Sequence, residues 1–160
     1  MTPPAWQTEL RRRFPALRTW TYLDTAAAGP IAFETARAGA SSYEAMLANG
    51  DADWEQDLVA IERARTRLAT LAGCKADDVG FVRNTSHAVS LAAQQLWESG
   101  RRTAVAFADE FPSSTLPFLN RGFDVRFVQP VGGRYPLDAI RDALRGRDVL
   151  VARHVMYRTG

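Results

Sequence analysis

At 160 residues, with 46% hydrophobic and 24% charged residues, the chain has the size and composition of one soluble globular domain with a sizeable core. A net charge of +2 is too small to argue for nucleic-acid binding. No apolar run approaches the ~18 residues of a membrane span, and Met1 to Ala5 lacks the basic-then-apolar order of a secretory signal, so a cytoplasmic protein is expected, with neither nucleic acid nor membrane as partner.

Trp6 to Phe14 has the pattern of a short amphipathic helix ending near Pro15, because proline disfavours helix at the residue before it. Residues 1–20 are expected to form a helical arm and 21–160 one domain. Tyr22 to Pro30 starts as an extended segment and becomes a small-residue turn closed by Gly29-Pro30, which brings backbone close to something. An Ala-rich helix is expected from Phe33 to about Asn49, with Asn49-Gly50 as its stop. A second runs from about Asp53, its N-cap, to Leu71, with Leu58, Ile61, Ala64, Leu68 and Leu71 at helical spacing.

Cys74 and Lys75 fall in the turn that follows. One cysteine forms no internal disulfide, and with His87 and His154 distant it has no metal-ligand spacing, so no metal is expected. Of the 20 basic residues Lys75 is the only lysine, and arginine cannot form a Schiff base because its charge stays delocalised. Lys75 beside Asp77 and Asp78 has the setting of an ordinary exposed ammonium, whereas catalytic lysines are usually desolvated or placed against another cation.

From here short apolar strands alternate with helices, an α/β order. Strand is expected at Val79 to Arg83, Thr103 to Ala108, Asp124 to Val128, and Asp148 to about Val155. Helix is expected at Ser86 to Glu98, near Ser114 to Asn120, and at Leu137 to Leu144. The last strand has no covering helix after it, so the chain is expected to be a portion of a larger domain.

Ligands of open α/β sheets bind beyond the carboxyl ends of strands, which singles out three segments. In Asn84-Thr85-Ser86-His87 the N–H groups and dipole of a helix start favour a phosphate, with two hydroxyls to add donors; capping of the helix is the alternative for the same residues. His87 is either a ring or phosphate partner or a partly solvated side chain. In Asp109-Glu110-Phe111-Pro112-Ser113-Ser114 an aromatic ring directly after a strand can stack on a flat heteroaromatic ligand or pack in the core, and Ser113 or Ser114 can cap a helix or touch the ligand. In Arg153 to Gly160 two arginines allow an anionic substrate group, with ordinary surface charge as the alternative. A nucleotide-binding domain is disfavoured, since neither G-x-G-x-x-G nor G-x-x-x-x-G-K-[ST] occurs.

Taken in order, these segments resemble the class V aminotransferase family of fold type I enzymes that use pyridoxal 5'-phosphate (PLP), a group that includes cysteine desulfurases, kynureninase and isopenicillin-epimerase-like proteins. Tyr22-Leu23-Asp24-Thr25-Ala26-Ala27-Ala28-Gly29-Pro30 is similar to the family's "YLDNAATGP" segment, with Thr25 where asparagine is usual. Phe81 to Ser86 is similar to its phosphate-holding strand and turn, with His87 where desulfurases commonly have glutamate. Glu110-Phe111-Pro112-Ser113-Ser114 is similar to the ring-stacking segment, phenylalanine leaning toward the kynureninase-like members. Val155-Met156-Tyr157-Arg158-Thr159-Gly160 resembles "V-x-Y-x-T-G".

The resemblance implies the N-terminal part of a fold type I large domain, a mostly parallel sheet flanked by helices. It also implies PLP as cofactor, Thr85, Ser86, His87, Phe111 and Ser113 as cofactor contacts, and Ala28, Gly29 and Tyr157 on the substrate side. An amino acid changed at Cα or Cβ is the implied substrate and a homodimer the implied state of the complete protein. The Schiff-base lysine and the aspartate that pairs with the pyridine nitrogen come later in such chains, so this chain alone is expected to be inactive. The alternative is a non-catalytic module that pairs with a complementary half or a homologous subunit.

Overall fold

The structure, a computed structural model, describes residues 4–52 and 54–157. It divides into two compact units, Met1–Gly80 and Phe81–Gly160. No helix among the described residues is long and apolar enough to cross a membrane.

The first unit is helical. Helix α1 (Ala5–Arg13) stops before Pro15, as the sequence predicts, and the short α2 (Ala16–Thr19) follows it. Helix α3 covers Phe33–Asn49 and ends on Gly50, whose φ of +64° is open to a residue without Cβ. Helix α4 (Trp54–Ala72) closes with Gly73 at φ +71° and the Cys74 N–H on the Ala69 carbonyl, a Schellman-type ending. The expected N-cap Asp53 lies outside the described residues. The stripe expected along α4 is present, but Leu58, Ile61, Leu68 and Leu71 all remain exposed, and Ala69 is the buried residue of that helix. Helical spacing aligns apolar side chains on one face; burying them takes a second surface.

The second unit is a three-layer α/β arrangement. Strands β1 (Thr103–Phe107), β2 (Asp124–Val128) and β3 (Val149–Val151) form a parallel sheet in the order β2-β1-β3. Helix α5 (Thr85–Glu98) precedes the sheet, while α6 (Pro112–Arg121) and α7 (Leu137–Leu144) are the crossovers. Period-two alternation along central β1 feeds two cores. Val105 and Phe107 meet Val128, Ala143 and Met156 on one face, and Ala104 meets Ala93, Phe118 and Phe123 on the other. A strand covered on both faces reads as a continuous apolar run, and Ala104 to Phe107 is one.

Two expected strands are corrected. Val79 to Arg83 is not a strand, because no ladder pairing joins it to β1, β2 or β3, and β-favouring side chains make no strand without a partner. The last strand is Val149–Val151 instead of Asp148 to Val155. Val151 pairs with Ala106 and β1 itself ends one residue later at Phe107, so the ladder has nothing further to pair with.

Candidate functional site

The carboxyl ends of β1 and β3 are neighbours, and the residues that follow them converge. After β1 the chain turns through Ala108 to Glu110, with Phe111 as N-cap and Pro112 at the first position of α6, where a missing N–H costs nothing. After β3 the chain leaves the sheet. Met156 returns into the core, and this anchors the segment so that Tyr157 stands outward.

Phe111 is 43% exposed, and its ring meets Tyr157 edge-on, with centroids 5.4 Å apart at 86°. The Arg153 guanidinium carbon lies 5.1 Å from the Phe111 centroid, within cation–π range. Arg153 Nε is 2.7 Å from Glu110 Oε1, and Arg153 also donates to Ser114 Oγ from Nε at 3.3 Å and Nη2 at 3.1 Å. Glu110 Oε1 further accepts the Phe111 N–H at 3.1 Å, while its Oε2 is buried and has no hydrogen-bond partner among the described residues. On the other side of this turn Tyr135 stacks on Phe107 and its hydroxyl donates to Asp109 Oδ1. Burial first, and then the bond to Asp109, pushes the Tyr135 phenol up from its ordinary value.

Helix α5 begins at Thr85 with Asn84 as its cap: Asn84 Oδ1 accepts the His87 N–H at 2.9 Å. Capping therefore falls to the asparagine. The Thr85 and Ser86 hydroxyls lie on the first turn, at the positive end of the helix dipole, and both residues are exposed. Ser86 and Ser113 line one open cavity of about 520 Å³ between α5 and α6, together with Ser90, Gln94 and Asn120. The cavity runs along the two helices, with Leu116, Pro117 and Arg121 also in its lining, and Ser86 and Ser113 stand at the ends where the helices begin. His87 is exposed on the same first turn.

In the first unit, Ala28 and Gly29 are exposed on a turn that Tyr22 ties down by donating its hydroxyl to the Ala28 carbonyl. The Ala27 and Ala28 N–H groups bond to the Asp24 carbonyl at 3.2 and 3.3 Å. A Cβ at Gly29 would meet only Thr25 Cγ2, at 4.0 Å, so packing around this turn does not require the small residue. Lys75 is exposed, with its N–H on Asp78 Oδ2 at 3.1 Å, and Cys74 is exposed and free. Arg158, Thr159 and Gly160 lie outside the described residues.

Sequence reading singled out Phe111, Ser113 and Tyr157, and the structure gathers Phe111 with Tyr157, and Ser113 with Ser86. It missed the buried Glu110 and its union with Arg153. The available signal was an acid and a base, each shortly after a strand, but only the strand order makes those ends adjacent.

An aromatic face flanked by a guanidinium, near a helix start furnished with hydroxyls, suits a flat heteroaromatic ring that carries an anionic group. The family model for class-V aminotransferases matches residues 21–157. A protein of Methanothermobacter thermautotrophicus named as a probable cysteine desulfurase is 31% identical over 144 residues, which is 85% of this chain and 36% of that protein. The chain thus spans about a third of the length of that relative. Since the family match runs from the residue before the Tyr22 turn through the Phe111 and Tyr157 cluster, this chain belongs to the class-V aminotransferase family.

Proposed function

We propose that this chain carries the phosphate- and ring-holding part of a PLP-dependent enzyme, of the class V aminotransferase and cysteine desulfurase-like group, that acts on an amino acid at Cα or Cβ. The observation that carries the reading is the exposed Phe111 ring beyond β1, in the same unit as the cavity along α5 and α6 that Ser86 and Ser113 help to line. These residues fit the cofactor. Thr85 and Ser86 hydroxyls, with the N–H groups of the α5 start, would hold its phosphate, with His87 on the same first turn and Ser113 on the same cavity as Ser86 to assist. Phe111 offers the face that would orient the pyridine ring and exclude water from one side. PLP, when bound, supplies an electron sink for charge that develops at the substrate carbon.

On this reading Ala28, Gly29 and Tyr157 bound the substrate side: a turn of small residues admits a ligand close to backbone, and Tyr157 offers a hydroxyl beside Phe111. Lys75 is not the Schiff-base lysine, because it is exposed on a turn next to Asp78. That lysine, and the acid for the ring nitrogen, would come from outside these 160 residues. A homodimer in the complete protein and a cytoplasmic setting belong to the same proposal.

Calorimetric titration with pyridoxine 5'-phosphate, which has no aldehyde and so binds without a lysine, tests the reading. The chain should bind it more tightly than pyridoxine, and Thr85→Ala with Ser86→Ala should remove most of that preference, about tenfold or more in affinity, since hydrogen bonds to a charged group are worth about 1.5–3 kcal/mol. Equal affinity for the two compounds would overturn it.

The uncovered stripe of α4, with Leu71 84% exposed, favours a second reading, a non-catalytic module that pairs with a complementary half or homologous subunit. A chain that sediments as a monomer at all concentrations would count against it.

A further inference from the structure

A buried carboxylate paired with a partly exposed guanidinium is an expensive way to stabilise a fold, since apolar side chains of similar size often do as well. The pair between Glu110 and Arg153 therefore calls for a reason beyond stability. The Glu110 side chain is fully buried, and only one of its oxygens is partnered. Among the described residues, the side-chain bonds of the pair lead to Phe111 or to the helix start that carries it. Glu110 Oε1 holds the Phe111 N–H, Arg153 holds Ser114 on the first turn of α6, and the guanidinium itself lies against the Phe111 ring. Tyr157, four residues after Arg153, closes the ring's edge.

From this arrangement we infer that Glu110 and Arg153 are positioning residues for the ring-binding face: they lock the orientation of Phe111 before a ligand arrives. The inference rests on the reading of Phe111 as the ring contact. The backbone bond to Glu110 fixes where the N-cap residue sits, and the planar guanidinium, oriented by both Glu110 and Ser114, limits the swing of the ring. A phenylalanine has no polar handle, so its orientation depends wholly on neighbours. Where the face is half exposed, an oriented cation and an aromatic edge are the neighbours available. Preorganisation of this kind raises affinity by removing the cost of ordering the side chain on binding.

A double-mutant cycle tests this on the full chain, with pyridoxine 5'-phosphate as the probe and calorimetry as the readout. Phe111→Ala and Arg153→Met are measured singly and together. Because Arg153→Met alone strands a buried carboxylate, the charge-free pair Glu110→Gln with Arg153→Met is measured as well, in both backgrounds. Arg153→Met and the charge-free pair should each weaken binding about tenfold when Phe111 is present and less than about twofold when it is alanine. The preference for the phosphate over pyridoxine should stay unchanged, since the pair acts on the ring side. Near-ultraviolet circular dichroism should report a changed Phe111 and Tyr157 environment while thermal unfolding of the charge-free pair stays cooperative. Equal losses in both backgrounds, or none with Phe111 present, would overturn the positioning role and leave the ring contact standing. If Phe111→Ala itself leaves affinity unchanged, the ring contact and the inference fall together.

Discussion

Asp148 begins the turn into β3 with its carboxylate on the first residues of β1. Its Oδ2 accepts the Arg102 N–H at 2.9 Å, the Thr103 N–H at 3.1 Å and the Thr103 hydroxyl at 2.9 Å, while the Thr103 hydroxyl accepts the Asp148 N–H at 3.0 Å. The bond from the Arg102 N–H foremost, and then those from Thr103, hold the carboxyl below its ordinary 3.8. A lowered acid favours the folded chain wherever the group is ionised, so the contribution is complete above 3.8 and is lost as pH falls through the folded value. Asp148→Asn should therefore lower the urea midpoint by a constant amount between about pH 5 and 7, and the gap from wild type should close at more acid pH. A gap that persists unchanged at the acid end would contradict the assignment. The sequence marks Asp148 only as a polar residue before a strand; its role follows from the adjacency of β3 and β1.

At the scale of elements, α6 carries Ser113 and Ser114 behind its cap Phe111 and is bounded by backbone chemistry at both ends. Pro112 starts it, and Gly122 ends it at φ +99°, ψ 15°, with the Phe123 N–H returning to the Phe118 carbonyl at 3.1 Å. A Cβ at position 122 would also stand 3.3 Å from the Trp97 ring. Gly122→Ala should thus cost about 1–2 kcal/mol from the left-handed conformation, with more if Trp97 cannot yield, measured as a lower urea midpoint at unchanged slope. An unchanged midpoint would show that this terminus carries no strain. Helices with clear stops were legible in the sequence: α3 and α7 cover Phe33–Asn49 and Leu137–Leu144, the spans that periodicity and glycine placement predict. Val79 to Arg83 was not, because an apolar extended run becomes a strand only where a ladder partner exists.

At the scale of the molecule, the buried core lies in the second unit; among the described residues of the first, Ala69 is the buried one. Phe118 is 4% exposed in the second unit's core and meets Phe123 in a T-shaped contact at 5.2 Å. Phe118→Ala should destabilise this unit by about 3–5 kcal/mol. Trp97, which packs on Phe123, can report it once Trp6, Trp20 and Trp54 are replaced by phenylalanine, and a loss under about 1 kcal/mol would mean that the core is not where the structure puts it. Sequence alone determined the α/β order, the helix limits set by proline and glycine, the family, and the candidates Thr85, Ser86, Phe111, Ser113 and Tyr157, because dihedral limits, periodicity and motif order act along the chain. Tertiary structure decided the strand order β2-β1-β3, the shortness of β3, and the meeting of Glu110 and Arg153 beneath Phe111. Those depend on which strand ends lie side by side, and residues 43 positions apart acquire a shared chemistry only when the sheet pairs their strands.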